Sequence, residues 1–110
     1  VVDAGFVDTV GKAFAATEAL KKQDIDILFC FLSTYVTSST AATPIIGLGV
    51  PTVLVALQPR ERLDYLNTTT YMQLANDNIC SLPEIAGVLV RAGKPAAGMI
   101  IGTLYDDEAA

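Results

Sequence analysis

An α/β fold on a parallel sheet is what these 110 residues predict, and three observations carry the prediction. Three short apolar runs, Ile25 to Leu32, Thr52 to Leu57 and Ala96 to Ile101, are rich in Ile, Val, Leu and Phe and lack clean alternation, which is the pattern of strands buried on both faces. Stretches of helical character lie between the runs, so each connection can form a crossover. The composition, 52% apolar against 17% charged, is enough to fill a core and too apolar for disorder.

In chain order, Phe6, Val10, Ala13, Phe14 and Leu20 are placed on one face of a first helix ending near Lys22. Lys21 and Lys22 suit its negative C-terminal end. After the first apolar run, Thr37 to Leu48 is rich in Ser and Thr and contains Pro44, which fits a helix's first turn or a break in its middle. Gly47, Gly49 and Pro51 mark the end of that segment. Residues 58–79 form a long polar stretch in which only Tyr71 to Asn76 reads as a helical turn. The next helix is expected to start at Ser81-Leu82-Pro83-Glu84, with Ser81 as cap, Glu84 closing a capping box and Pro83 in the first turn. Ile85, Val88, Leu89 and Ala92 supply its apolar stripe, and Gly93 with Pro95 ends it.

The order helix, strand, helix, strand, long loop, helix, strand implies right-handed crossovers and a three-layer arrangement with helices on the faces of the sheet. Three strands are few for such a sheet, the first element is a helix with no strand before it, and Asp106 to Ala110 resembles the start of another helix. The sequence also opens Val1-Val2-Asp3 without Met. Residues 1–110 are therefore expected to form one truncated α/β domain, a fragment of a larger protein.

Charge and motifs exclude several function classes. The net charge of −5 with scattered basic residues disfavours nucleic acid and acidic membrane surfaces. No apolar run approaches the ~18 residues of a membrane span, so a soluble, cytoplasmic protein is expected. Cys30 lies in an apolar strand pattern and Cys80 in a different setting, which favours two reduced thiols over a bridge. The chain has no His, no Cys-x-x-Cys, no glycine-rich dinucleotide fingerprint after a strand and no phosphate loop. Gly47-Leu48-Gly49 precedes a strand, the wrong context for such a fingerprint. The run Asp106-Asp107-Glu108 reads as a complement to a helix dipole rather than a metal site.

Parallel sheets bind ligands outside the carboxyl ends of their strands, where the strand-to-helix loops gather. Here those loops hold Ser33, Thr34, Tyr35, Thr37, Ser38 and Ser39 after the first strand. Gln58, Pro59, Arg60, Glu61 and Arg62 follow the second, and Gly102, Thr103, Leu104 and Tyr105 the third. Their hydroxyl, amide and guanidinium groups suit a polyhydroxylated or anionic small molecule. Ser and Thr at such positions also cap helices, Gln58 also fits a plain turn, and Arg60 and Arg62 also suit pairing with Glu61, Asp64 or a neighbouring subunit.

From Asp24-Ile25-Asp26-Ile27-Leu28-Phe29-Cys30 through Ser33-Thr34-Tyr35, the chain resembles the amino-terminal domain of the L-arabinose isomerase family and its L-fucose isomerase-like relatives. The likeness continues in Gly49-Val50-Pro51-Thr52-Val53-Leu54, Leu57-Gln58-Pro59-Arg60, Leu63-Asp64-Tyr65, Pro83-Glu84-Ile85-Ala86 and Gly102-Thr103-Leu104-Tyr105-Asp106-Asp107. No single motif is diagnostic; their number and order carry the resemblance, which covers most of the chain. It implies a Rossmann-like (flavodoxin-like) domain that lies against a neighbouring subunit of a homo-oligomer and completes a sugar pocket there. It also implies aldose–ketose interconversion assisted by a divalent metal, usually Mn2+, held by Glu and His residues of later domains and acting as a Lewis acid.

On this resemblance Gln58 matches a glutamine that reaches the sugar, with Tyr35 and Arg60 as further candidates for the pocket wall. Catalytic and metal-binding residues are expected outside the chain. Where L-arabinose isomerases read approximately Gln-Phe-Asn, this chain has Gln58-Pro59-Arg60, and Ser33 stands where they tend to carry His. Both departures point to a less typical branch. A non-catalytic sugar-binding module and a purely structural oligomerisation domain are the competing expectations.

Overall fold

The structure, a computed structural model, describes residues 1–105. Its elements are α1 (Val10–Lys21), β1 (Leu28–Phe31), α2 (Ser38–Leu48), β2 (Thr52–Gln58), α3 (Thr70–Ala75), α4 (Asn78–Arg91) and β3 (Gly98–Thr103). The strands form one parallel sheet in the order β1-β2-β3, with Cys30 opposite Leu54 and Leu54 opposite Met99. This is the α/β arrangement on a parallel sheet that the apolar runs predict, and it is Rossmann-like, as the resemblance implies. The strand limits fall within three residues of the predicted ones: β2 starts at the predicted Thr52, and β3 extends to Thr103.

Strands added successively in one direction through right-handed crossovers put their helices on one side. Leu54 and Ala56 of β2 accordingly pack against Ala41, Ala42 and Ile45 of α2 and Leu82, Ile85 and Leu89 of α4. Leu54, Ile85 and Leu89 are fully buried, and each large aliphatic side chain of this kind contributes about 1.5–3 kcal/mol. The other face of the sheet carries Phe29 and Phe31, which remain 60% and 50% exposed. Val53, Leu57 and Ile100 share that face and are half-buried. Among the described residues, the two helices that pack on the sheet both lie on the first face.

α1 packs on α2 rather than on the sheet, and this changes which of its residues are buried. Thr9 caps it, accepting the Lys12 amide at 3.3 Å, and Ala13, Ala16, Thr17 and Leu20 form the buried stripe. Phe6 precedes the helix, while Val10 and Phe14 point to solvent, against the expected apolar face. Two helices approach closely only through small residues. A Cβ on Gly47 of α2 would meet Thr17 Cγ2 at 2.8 Å, so the contact side of α1 holds Ala and Thr, not Phe.

α4 starts three residues before the expected Ser81. Asn78 opens it, and Ser81, Pro83 and Glu84 are interior positions. Pro83 is the sixth residue of the helix, where its missing N–H forgoes one intrahelical bond. Ser81 and Glu84 do not box their own helix, because both side chains bond the β1–α2 connection instead. The C-terminus is as expected: Gly93 has φ +71°, its amide bonds Val90 O at 3.0 Å and the Lys94 amide bonds Leu89 O at 2.9 Å. That pair of bonds is a Schellman motif. Gly49 closes α2 in the same left-handed conformation, with its amide on Ile45 O.

Candidate functional site

The carboxyl edge of the sheet is crossed by residues 74–78, the turn from α3 into α4, and four hydrogen bonds hold it there. Thr34 Oγ1 donates to Leu74 O at 2.8 Å, which ties α3 to the exit of β1. Gln58 Nε2 donates to Asn76 O at 3.0 Å, and the Arg60 amide donates to Asn76 Oδ1 at 3.0 Å. Asn78 Nδ2 donates to Leu32 O at 3.0 Å. Each bond satisfies a backbone group that a strand end or helix end would otherwise leave open. The crevice between β1 and β2 is thus filled by the chain's own polar groups. Asn78 is fully buried, and its Oδ1 is a buried polar atom without a partner.

The first turn of α2, which follows β1, is filled in a second way. Glu84 Oε1 accepts the Ser38 amide at 2.9 Å and Ser81 Oγ accepts the Val36 amide at 2.8 Å. α2 has no acidic residue in its first turn and no side-chain cap from Thr37, so the carboxylate from α4 faces its positive end in their place. Hydrogen bonding from Ser38 holds the Glu84 carboxyl below its usual range, with a smaller contribution from Tyr35. In nucleotide-binding sheets a helix N-terminus at this place receives a phosphate. Here a fixed carboxylate already stands on it.

What remains open on this edge is a cavity of about 510 Å³ beside the exit of β2. It is lined by Gln58, Glu61, Arg62, Leu63 and Tyr65 from the strand exit and loop, by Thr68 and Gln73 around the start of α3, and by Asn76, Asp77 and Ile79. The loop shapes itself: Asp64 accepts the Leu66 amide at 3.1 Å and the Asn67 side-chain amide at 2.6 Å, which hold its carboxyl below the ordinary value. Arg62 lies 3.6 Å from Glu61, and both are exposed. The lining mixes an amide, hydroxyls, an aromatic ring and charges of both signs, a set that hydrogen-bonds a small polar molecule.

Of the residues expected at the site, Gln58 lines this cavity; Tyr35 and Arg60 do not. Tyr35 stands beside Glu84 at the start of α2, and Arg60 meets Asn76 through its backbone amide. Thr37 Oγ1 lies within hydrogen-bond distance of Ser39 and Thr40 hydroxyls, so these groups serve the helix end. At the exit of β3 the Leu104 amide bonds Gln58 O at 2.9 Å, which joins the second and third strand exits. Asn76, Gln73 and Thr68 were not singled out by sequence reasoning. Asn76 terminates a six-residue helix inside a polar stretch, and no periodicity or motif marks it.

A second cavity, about 250 Å³, lies at the opposite edge of the sheet between Gly49–Thr52 and Lys94–Pro95. Its one charged group, Lys94, donates to Ile46 O at 2.9 Å and so complements the C-terminal end of α2. Cys30 and Cys80 are free. Burial pushes the Cys30 thiol up to about 11, so it is no nucleophile at neutral pH. Among the described residues no three Cys, Asp or Glu side chains converge. Asp106, Asp107 and Glu108 lie outside the described residues. No helix among the described residues is long and apolar enough to cross a membrane. No family model matches the chain, and no curated protein matches it.

Proposed function

We propose that this chain forms one wall of the sugar pocket, and a subunit-contact surface, of a metal-dependent aldose–ketose isomerase related to the L-arabinose and L-fucose isomerases. The observation that carries the reading is Gln58. It ends the central strand, it is the residue that the ordered motifs align with a sugar-contacting glutamine, and it lines the polar cavity at the carboxyl edge. Mn2+ or another divalent ion would be held by Glu and His residues outside this chain, where it would polarise the sugar's oxygens. This chain would bind and orient hydroxyl groups without moving a proton itself. Cytoplasmic localisation, a sugar and neighbouring subunits as partners belong to the same proposal.

The apolar sheet face with Phe29 and Phe31 favours the subunit contact, and equally favours a second reading in which the domain is only an oligomerisation or sugar-binding module. Ketose formation separates the two. A full-length polypeptide carrying this chain should convert an aldose from a panel in the presence of manganese and stop when the metal is chelated. A folded, metal-loaded polypeptide that converts no aldose overturns the isomerase reading and leaves the module.

A further inference from the structure

We infer that residues 60–75 form a hinged lid over the carboxyl-edge cavity, closed by a latch from Thr34 and swinging about a neck held by Asn76. Its motion is independent of what the cavity admits.

The segment leaves and rejoins the fold at one place. Gln58 Nε2 donates to Asn76 O and the Arg60 amide donates to Asn76 Oδ1, both at 3.0 Å, so the two ends are tied across the base of the loop. A surface segment closed at its base in this way is an Ω-loop. Asn76 is buried, which shields the bonds of the neck from water. Between α3 and α4, Asn76 and Asp77 have ψ of 12° and 17°, outside the helical range, and this break gives the loop a pivot beside the neck.

Within the loop the hydrogen bonds are internal. Asp64 accepts the Leu66 amide through Oδ1 and the Asn67 amide through its backbone oxygen, at 3.1 and 3.0 Å. Thr69 Oγ1 caps α3 by accepting the Met72 amide at 3.2 Å, and Arg62 pairs with the adjacent Glu61. These contacts travel with the loop, so it moves as a unit.

Little holds that unit to the body. None of residues 59–75 is buried, α3 included, and Tyr65, Leu66 and Tyr71 stand in solvent. Outside the neck and its junction with α4, one hydrogen bond reaches across among the described residues. It is the bond from Thr34 Oγ1 to Leu74 O, at 2.8 Å. Few buried contacts and few tethers are the marks of a segment that opens locally.

The cavity lies between the loop and the body. Arg62, Tyr65 and Thr68 line it from the loop, and Gln58 and Ile79 from the body. An outward swing with the neck shut opens the cavity and leaves Gln58 in place. Return of the latch shields the cavity from water, so the loop gates entry and exit.

The test is NMR relaxation dispersion, which reads exchange on the microsecond-to-millisecond scale, on the isotope-labelled 110-residue chain and its Thr34→Val and Thr34→Ser variants. Thr34 is exposed, so neither change disturbs the core. Amides of residues 61–75 should share one exchange process while those of α2 and the strands stay quiet. Thr34→Val removes the hydroxyl and keeps the branched shape. It should raise the open population about fivefold, one neutral hydrogen bond's worth. Thr34→Ser keeps the hydroxyl and should match the wild type. Solvent exchange of the Arg60 amide proton should be equally slow in all three proteins, because the neck stays shut. Amides of 61–75 that exchange at unrelated rates, or stay quiet in both wild type and Thr34→Val, overturn the lid. An open population that Thr34→Val leaves unchanged overturns the latch. Faster solvent exchange of the Arg60 amide in Thr34→Val means that the segment unfolds rather than swings, and overturns the proposal as well.

Discussion

The carboxylate of Glu84, in the second turn of α4, accepts the backbone N–H of Ser38, the first residue of α2, at 2.9 Å. Residues 46 apart in the chain thus share one helix cap. The contact fixes the β1–α2 connection, completes the polar end of α2 and occupies the place where nucleotide-binding sheets hold a phosphate. It also makes α4 a supporting element for the whole carboxyl edge, since Asn78 and Ser81 of the same helix bond Leu32 and Val36.

The Glu84 contact predicts a pH dependence of stability. Its carboxyl is held below the usual value of 4.5 by the Ser38 amide. The stabilisation is therefore fully present above about that pH, and is lost as pH falls toward and through the lowered folded-state value. Melting temperature measured from neutral pH down to pH 3 should fall less steeply for Glu84→Gln than for the wild type. Asp8 and Asp64 are lowered as well, so part of the slope should persist. Identical slopes in the two proteins would count against the trans cap.

The close approach of α1 to α2 predicts an unusual sign for a glycine substitution. Ala favours a helix interior over Gly by up to about 1 kcal/mol, yet a Cβ on Gly47 meets Thr17 Cγ2 at 2.8 Å. Thr17 is buried, with its hydroxyl fixed on Ala13 O at 2.7 Å, so it has little room to move. Gly47→Ala should destabilise the protein by about 1–2 kcal/mol. In a Thr17→Ser background, which keeps the hydroxyl and removes Cγ2, the same change should become neutral or stabilising. Denaturant unfolding of the four proteins gives the double-mutant cycle directly.

The two thiols should differ in reactivity. Cys30 has its thiol raised to about 11 by burial, whereas Cys80 is exposed and is raised by hydrogen bonding with Asp77. Alkylation of the native protein at pH 8, read by intact mass, should add one group, at Cys80, and denaturation should release the second. Asp77→Asn should speed the first reaction by lowering the Cys80 thiol toward its ordinary value. Equal rates at both cysteines would contradict the packing of β1.

The three strands were legible because burial on one or both faces leaves runs such as Thr52 to Leu57 nearly free of polar residues. The end of α4 was legible because Gly93 and Pro95 act locally. Its start was not. Ser81 and Glu84 have the spacing of a capping box, but the amides they serve belong to another segment, and no local pattern distinguishes the two uses. Phe14 was misplaced for a related reason: helical periodicity identifies faces, whereas the choice of small residues against α2 depends on a tertiary neighbour. At the carboxyl edge, the strand-end rule and the family resemblance single out Gln58, which lines the cavity there. Asn76 was not legible, since its role arises only once residues 58 and 76 meet.

The central claim is that Gln58 touches the sugar, and the most direct measurement is steady-state kinetics of Gln58→Ala in the manganese-loaded full-length polypeptide. Loss of one neutral hydrogen bond, about 1.4 kcal/mol, should lower kcat/KM by about tenfold, mainly through a higher KM, with the melting temperature little changed. Unaltered kcat/KM in a folded Gln58→Ala protein would contradict the claim.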